Sequence, residues 1–106
     1  MKRAEKLKII NETARLYKEL DAACDAFAKL TSATYENGTL LDKVLRCVEF
    51  HRDHTAELIG DTQGWLGWYI HYNMCGENGY EAVIDGKKTK PIRTAVDLLR
   101  VIEASK

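Results

Sequence analysis

The apolar positions of this chain follow a helical period up to Gly60 and an alternating one from Gly64 onward. In the first segment Ile9, Thr13, Leu16, Leu20, Ala23, Phe27 and Leu30 recur at alternating steps of four and three, which is a heptad seam. Ile10, Ala14, Tyr17 and Cys24 widen the seam on one flank, the pattern of a helix that packs against more than one neighbour. A helix from about Lys2 to Leu30 is about 43 Å long, whereas a compact domain of this length is about 33 Å across. The helix therefore either projects from the body or is interrupted. A projecting apolar stripe favours self-association or a partner helix.

Asn37-Gly38 is a turn signal, and Thr39 stands three residues before Asp42 as an N-cap with a capping-box-like partner. A second helix follows, with Leu41, Val44, Leu45, Val48, Thr55, Leu58 and Ile59 along one face and Gly60 placed to close it in the left-handed conformation. The short connection predicts an antiparallel helical hairpin. From Gly64 to Asn73 the run GWLGWYIHYN alternates, placing Leu66, Trp68, Ile70 and Tyr72 on one face and Trp65, Tyr69 and His71 on the other. Gly76 to Gly79 reads as a turn, Tyr80 to Ile84 as a second strand, Asp85-Gly86 as a hairpin turn and Lys88 to Ile92 as a third strand. Pro91 lacks an amide donor and suits an edge strand. Thr94 and Asp97 repeat the capping-box spacing ahead of a short final helix over Ala95, Leu98, Leu99, Val101 and Ile102. The expected fold is a single α+β domain over residues 1–106, ordered ααβββα. Its helical hairpin spans 1–60, and a three-stranded antiparallel meander with a C-terminal helix spans 61–106.

Length and composition fit one ordinary globular domain: 106 residues, 45% hydrophobic and 30% charged. A chain of this size builds a core but no deep enclosed pocket, which weighs against a stand-alone enzyme. Cys24, Cys47 and Cys75 are odd in number and lack CxxC spacing, as suits reduced thiols and a cytoplasmic location rather than a disulfide framework. No stretch has the length and apolarity of a signal segment or a membrane span. Net charge is zero, yet Asp61, Glu77, Glu81 and Asp85 occupy a stretch without Lys or Arg, and Lys87, Lys88, Lys90, Arg93, Arg100 and Lys106 follow it. Cross-strand pairing in a hairpin accounts for this order. The alternative is an anion-binding patch of Lys87, Lys88, Lys90 and Arg93.

Candidate chemistry is sparse. Cys47, His51 and His54 share a helix at spacings of four and three, and these residue types ligate zinc, with His71 or Cys75 as a possible fourth donor. Against this, His51 falls beside Val48 and Thr55, so a hydrogen-bonded, partly buried histidine is the simpler expectation; no metal or other cofactor is predicted. A Cys75 nucleophile served by His71 or His54 satisfies the elementary requirement of thiolate catalysis, but no hydrolase signature surrounds it. Gly76-Glu77-Asn78-Gly79 lacks the Lys-Ser/Thr pair of a phosphate loop. Glu49, Asp53 and Glu57 alternate with Arg46 and Arg52 as a solvated face. The basic hairpin beside aromatic residues has the ingredients of a nucleic-acid surface, but a chain with pI near 6.8 lacks the positive excess that supplies such affinity.

The sequence thus points to a small non-enzymatic protein-interaction or regulatory module. Ile9, Leu16 and Leu20 form the predicted homodimer seam, and Trp65, Tyr69, His71 and Val83 form the predicted partner-binding face. A phage or mobile-element accessory protein that binds and inhibits a larger host protein fits this description. A nucleic-acid-binding accessory protein is the first alternative, and a small metal-dependent or cysteine enzyme the second.

Overall fold

α1 (Arg3–Thr31) runs unbroken through 29 residues and sets the long dimension of the molecule, which measures 46 × 27 × 21 Å in the computed structural model. The structure describes residues 1–31, 38–62, 64–74 and 79–105. The Cα radius of gyration is 15.2 Å, against about 13 Å for a compact domain of this length. Of the two outcomes expected for an over-long first helix, projection is the one realised.

α2 (Leu40–Ile59) returns alongside α1, and both its ends follow the predicted local chemistry. The Thr39 hydroxyl accepts the Asp42 amide at 3.1 Å, and Gly60 closes the helix at φ 80° with its N–H on the Ala56 and Glu57 carbonyls. The carboxylate of Asp42 reaches the Gly38 amide rather than that of Thr39, and it also holds Arg46 at 3.0 Å. The backbone amide of Gly38, then Arg46, keep the Asp42 carboxyl below its ordinary range.

The predicted three-stranded meander does not form. Residues expected to open it make a helix, α3 (Trp65–Met74), and the described residues contain four helices and one two-stranded sheet. The order is αααββα, a mainly helical fold with a small hairpin. The reason lies in the segment itself, where a short run apolar on every side satisfies a period of two and a period of 3.6 alike. Its environment decides. Asp61, left just beyond the Gly60 stop, accepts the Trp65 and Leu66 amides at 2.6 Å each and so initiates a helix. Trp65, Leu66, Tyr69 and Ile70 then lie on one buried stripe.

The Asp85-Gly86 turn forms as expected, with φ 52° and 78°, the two left-handed residues of a type I′ hairpin. It joins β1 (Val83–Ile84) to β2 (Lys87–Lys88), in register Val83↔Lys88 and Ile84↔Lys87. A bridge between Tyr80 and Ile92 extends the pairing past Pro91. The acidic-to-basic order of the sequence is realised here in one exposed pair, Glu81 with Lys88 at 3.8 Å. α4 (Ala95–Ala104) opens with the predicted capping box: Thr94 accepts the Asp97 amide, and Asp97 accepts the Arg93 and Thr94 amides, each at 3.2 Å. Arg3 pairs with Glu103, tying the start of α1 to the end of α4.

The core occupies one end of the molecule. Ile10 of α1 and Ile59 of α2 join Trp65, Leu66, Tyr69 and Ile70 of α3, Tyr80 and Ala82 before the hairpin, Ile92 after it, and Leu98, Leu99, Val101 and Ile102 of α4. The Tyr80 ring stacks on Tyr72 with centroids 4.7 Å apart, and its hydroxyl donates to the Trp65 carbonyl at 3.2 Å. Burial, reinforced by the nearby Asp61 charge, pushes the Tyr80 phenol well above its ordinary range.

Leu66→Ala removes a fully buried side chain at the junction of these elements and should cost about 2–5 kcal/mol in urea unfolding, whereas Phe50→Ala, on the outer side of α2, should cost less than about 0.5 kcal/mol. The amides of Arg93 and Thr94 hold the Asp97 carboxyl below its ordinary value. A carboxyl depressed in the folded state contributes stability above the ordinary value of 3.8 and loses it as pH falls through the lowered one. The fall in Tm between about pH 5 and about pH 2.5 should therefore be shallower in Asp97→Asn than in the wild type, and equal slopes would remove the cap from the acid limb.

Candidate functional site

Beyond the core, α1 and α2 continue as a two-helix hairpin that α3, the β-hairpin and α4 do not reach. The heptad seam and its flank have different fates along α1. The flank turns inward: Ile10 and Cys24 are buried and Tyr17 is half-buried, its ring under the Arg52 guanidinium at 5.7 Å. The seam residues Leu16 and Phe27 stay 43% and 45% exposed, and Leu30 is 87% exposed. On α2 the buried line runs through Thr55 and Ile59, with Leu41, Leu45 and Val48 half-buried, while Leu40, Val44 and Leu58 are exposed. These leftover edges border one groove.

Thr13, Leu16, Glu19, Leu20, Val44, Cys47, Val48 and His51 line a hollow of about 600 Å³ in that groove. A second hollow of about 260 Å³ continues it toward the core between Ile9, Glu12, Leu16, His51, His54 and Leu58. All three predicted dimer-seam residues lie here: Ile9 and Leu20 half-buried, Leu16 exposed. Val44, Cys47, His51 and Leu58, the opposing wall, were not assigned to the seam by sequence reasoning. Their spacing of three, four and seven along α2 is the available signal.

The predicted partner face is dispersed. With α3 a helix, Trp65 and Tyr69 belong to the core, whereas His71 is exposed and packs edge-on against Tyr72 at 5.4 Å, and Val83 is exposed on the hairpin. Trp68, placed by the strand reading on one face with Leu66 and Ile70, is half-exposed and edge-on to Trp65 at 5.2 Å. The basic candidates also separate. Lys87 and Lys88 are adjacent on one strand and so project to opposite faces. Lys90 lines a dimple of about 230 Å³ with Pro91, Arg100 and Asp97, and the Arg93 side chain lies across Gly79.

The metal candidates come only partly together. Cys47 and His51 line one hollow, and His51 and His54 the other, but no group of three His, Cys, Asp or Glu positioned for a metal occurs among the described residues. His51 is exposed rather than partly buried, because α2 turns its Thr55 and Ile59 line inward and leaves His51 on the rim. Cys75, the proposed nucleophile and possible fourth ligand, lies outside the described residues, as do most of the Gly76–Gly79 turn, Asn37 and Lys106. No helix among the described residues is long and apolar enough to cross a membrane. Comparisons with protein-family models, curated proteins and solved structures give no match to this chain.

A purified sample incubated with zinc and desalted should retain far less than one equivalent, with His51→Ala indistinguishable from wild type. Stoichiometric zinc that His51→Ala releases would establish the Cys47, His51 and His54 site instead.

Proposed function

We propose that this chain is a non-enzymatic protein-interaction module whose binding surface is the apolar groove along α1 and α2, and that the surface is covered by a second copy of the chain. The carrying observation is that both long helices leave an apolar edge on one groove outside the core, Leu16 and Leu20 from α1 and Val44 and Leu58 from α2. Leu16, Val44 and Leu58 line its two hollows while exposed, and Phe27 and Leu40 are exposed further along the same helices; apolar exposure of this kind marks association sites. An open groove whose Cys, His and Glu side chains form no metal-holding group among the described residues suits recognition better than bond chemistry. The regulatory reading follows from this one: a small helical dimer that occludes a larger protein, as an accessory protein of a phage or mobile element does. Its odd set of thiols, with Cys47 exposed, suits a reducing cytoplasm. Dispersal of the basic residues argues against the nucleic-acid alternative.

Light scattering should give twice the 12.0 kDa chain mass for the wild type. Leu16→Lys with Val44→Lys should give a single chain mass and unchanged far-UV helicity, because both positions lie outside the core. A monomeric wild type at high micromolar concentration would contradict the proposal, and so would a charged double variant that remains dimeric.

A further inference from the structure

Resting on that reading, we propose that the two copies meet about a two-fold axis parallel to the helices, so that α1 of each packs against α2 of the other. The two walls of the groove differ in charge. On α1 the lining residues include Glu12 and Glu19, which continue a row begun by Glu5 at steps of seven; on α2 the lining residues include His51 and His54 and no acid. Lys43 stands one helical turn from Cys47 on the same outer edge and is exposed.

The levels along the groove also match. Glu12 and His54 border the same hollow, and Glu19 and Cys47 border the other, so each acid of α1 lies level with the cationic or imidazole edge of α2. A two-fold parallel to the helices preserves these levels and exchanges left for right. It brings Glu12 of one copy level with His54 of the other and Glu19 level with Cys47, one helical turn from the exposed Lys43, twice over. A two-fold across the helices would instead set the glutamate edge of α1 against itself, and like charges face to face oppose association. Glu19 holds Arg15 of its own helix at 3.0 Å, but both side chains are more than half exposed, so that pair competes weakly.

The face is large enough. α2 is about 30 Å long, and two helices side by side are about 20 Å wide. About 600 Å² per copy, or about 1,200 Å² for the pair, reaches the size of specific interfaces. Four helices then enclose the apolar edges as a bundle with alternating neighbours, the arrangement in which short-looped hairpins bury both stripes. Because the axis runs along the helices, the two core ends lie at the same end of the assembly.

Two charge variants test this arrangement. In one, Glu12→Lys and Glu19→Lys are combined; in the other, Lys43→Glu and His54→Glu. All four positions are exposed, and far-UV helicity checks that each variant is folded. Each variant alone should self-associate at least about tenfold more weakly than wild type by sedimentation equilibrium, since each sets like charges at both edges. An equimolar mixture should form a heterodimer about as tight as the wild-type dimer, because every edge then pairs opposite charges, and a chain carrying all four substitutions should dimerise again. A wild-type dimer whose variants gain nothing on mixing would overturn the arrangement while leaving the groove as the interface. A wild-type monomer would overturn both.

Discussion

A mismatch of length governs this molecule. α1 is about 43 Å long, while α3 and α4, at ten residues each, are about 15 Å long. The elements that follow the hairpin can therefore cover only one end of it. There they build a core with Leu66, Ile70, Ile92, Leu98 and Ile102 almost fully buried. At the other end, among the described residues, α1 has α2 beside it, and two helices bury one stripe between them while each leaves a flank exposed.

Which flank is left out depends on how α1 is rotated. Contact with the core fixes that rotation: Ile10 and Thr13 are buried, and a straight helix carries the same orientation outward, turning Tyr17 and Cys24 inward in their turn. Leu16 and Phe27, about a quarter of a turn away, are then left partly exposed. α2 is set in the same way by Ile59 and Thr55, which leaves Val44 and Leu58 on its outer edge. Burying these edges in a monomer would require rotating α1 and dismantling the core. A second molecule, as proposed, would achieve the burial without that rearrangement, since removing apolar area from water is favourable whichever chain covers it.

What was legible in the sequence was local. The Thr39 N-cap of α2, the capping box of α4, the Gly60 stop and the Asp85-Gly86 turn each depend on a few adjacent residues whose side chains or φ angles satisfy specific backbone groups, and these formed as read; the Asp42 half of the α2 box went to Gly38 instead. The identity of Gly64 to Asn73 was not local. Its apolar residues allow strand or helix, and the choice rests on the Asp61 carboxylate capping two amides and on a core that needs a stripe from Trp65 to Ile70 rather than two flat faces. Predictions that depended on that strand moved with it, so Trp65 and Tyr69 went inside while Trp68 came halfway out. The groove was half legible. Its α1 wall appeared as the heptad seam, but its α2 wall was merged with the buried line, because Val44 and Leu58 differ from Leu45 and Ile59 by one residue of rotation and by nothing in composition.

The proposed function rests on the uncovered edges rather than on any constellation of reactive groups. The exposed thiol of Cys47 and the rim histidines lie on an apolar surface whose simplest role is contact. Isotope-filtered NMR on an equal mixture of labelled and unlabelled chains tests this most directly. Methyl contacts between Leu20 of one chain and Val44 of another, growing with concentration, are the result this account predicts. Methyl contacts confined within single chains at every concentration would contradict it.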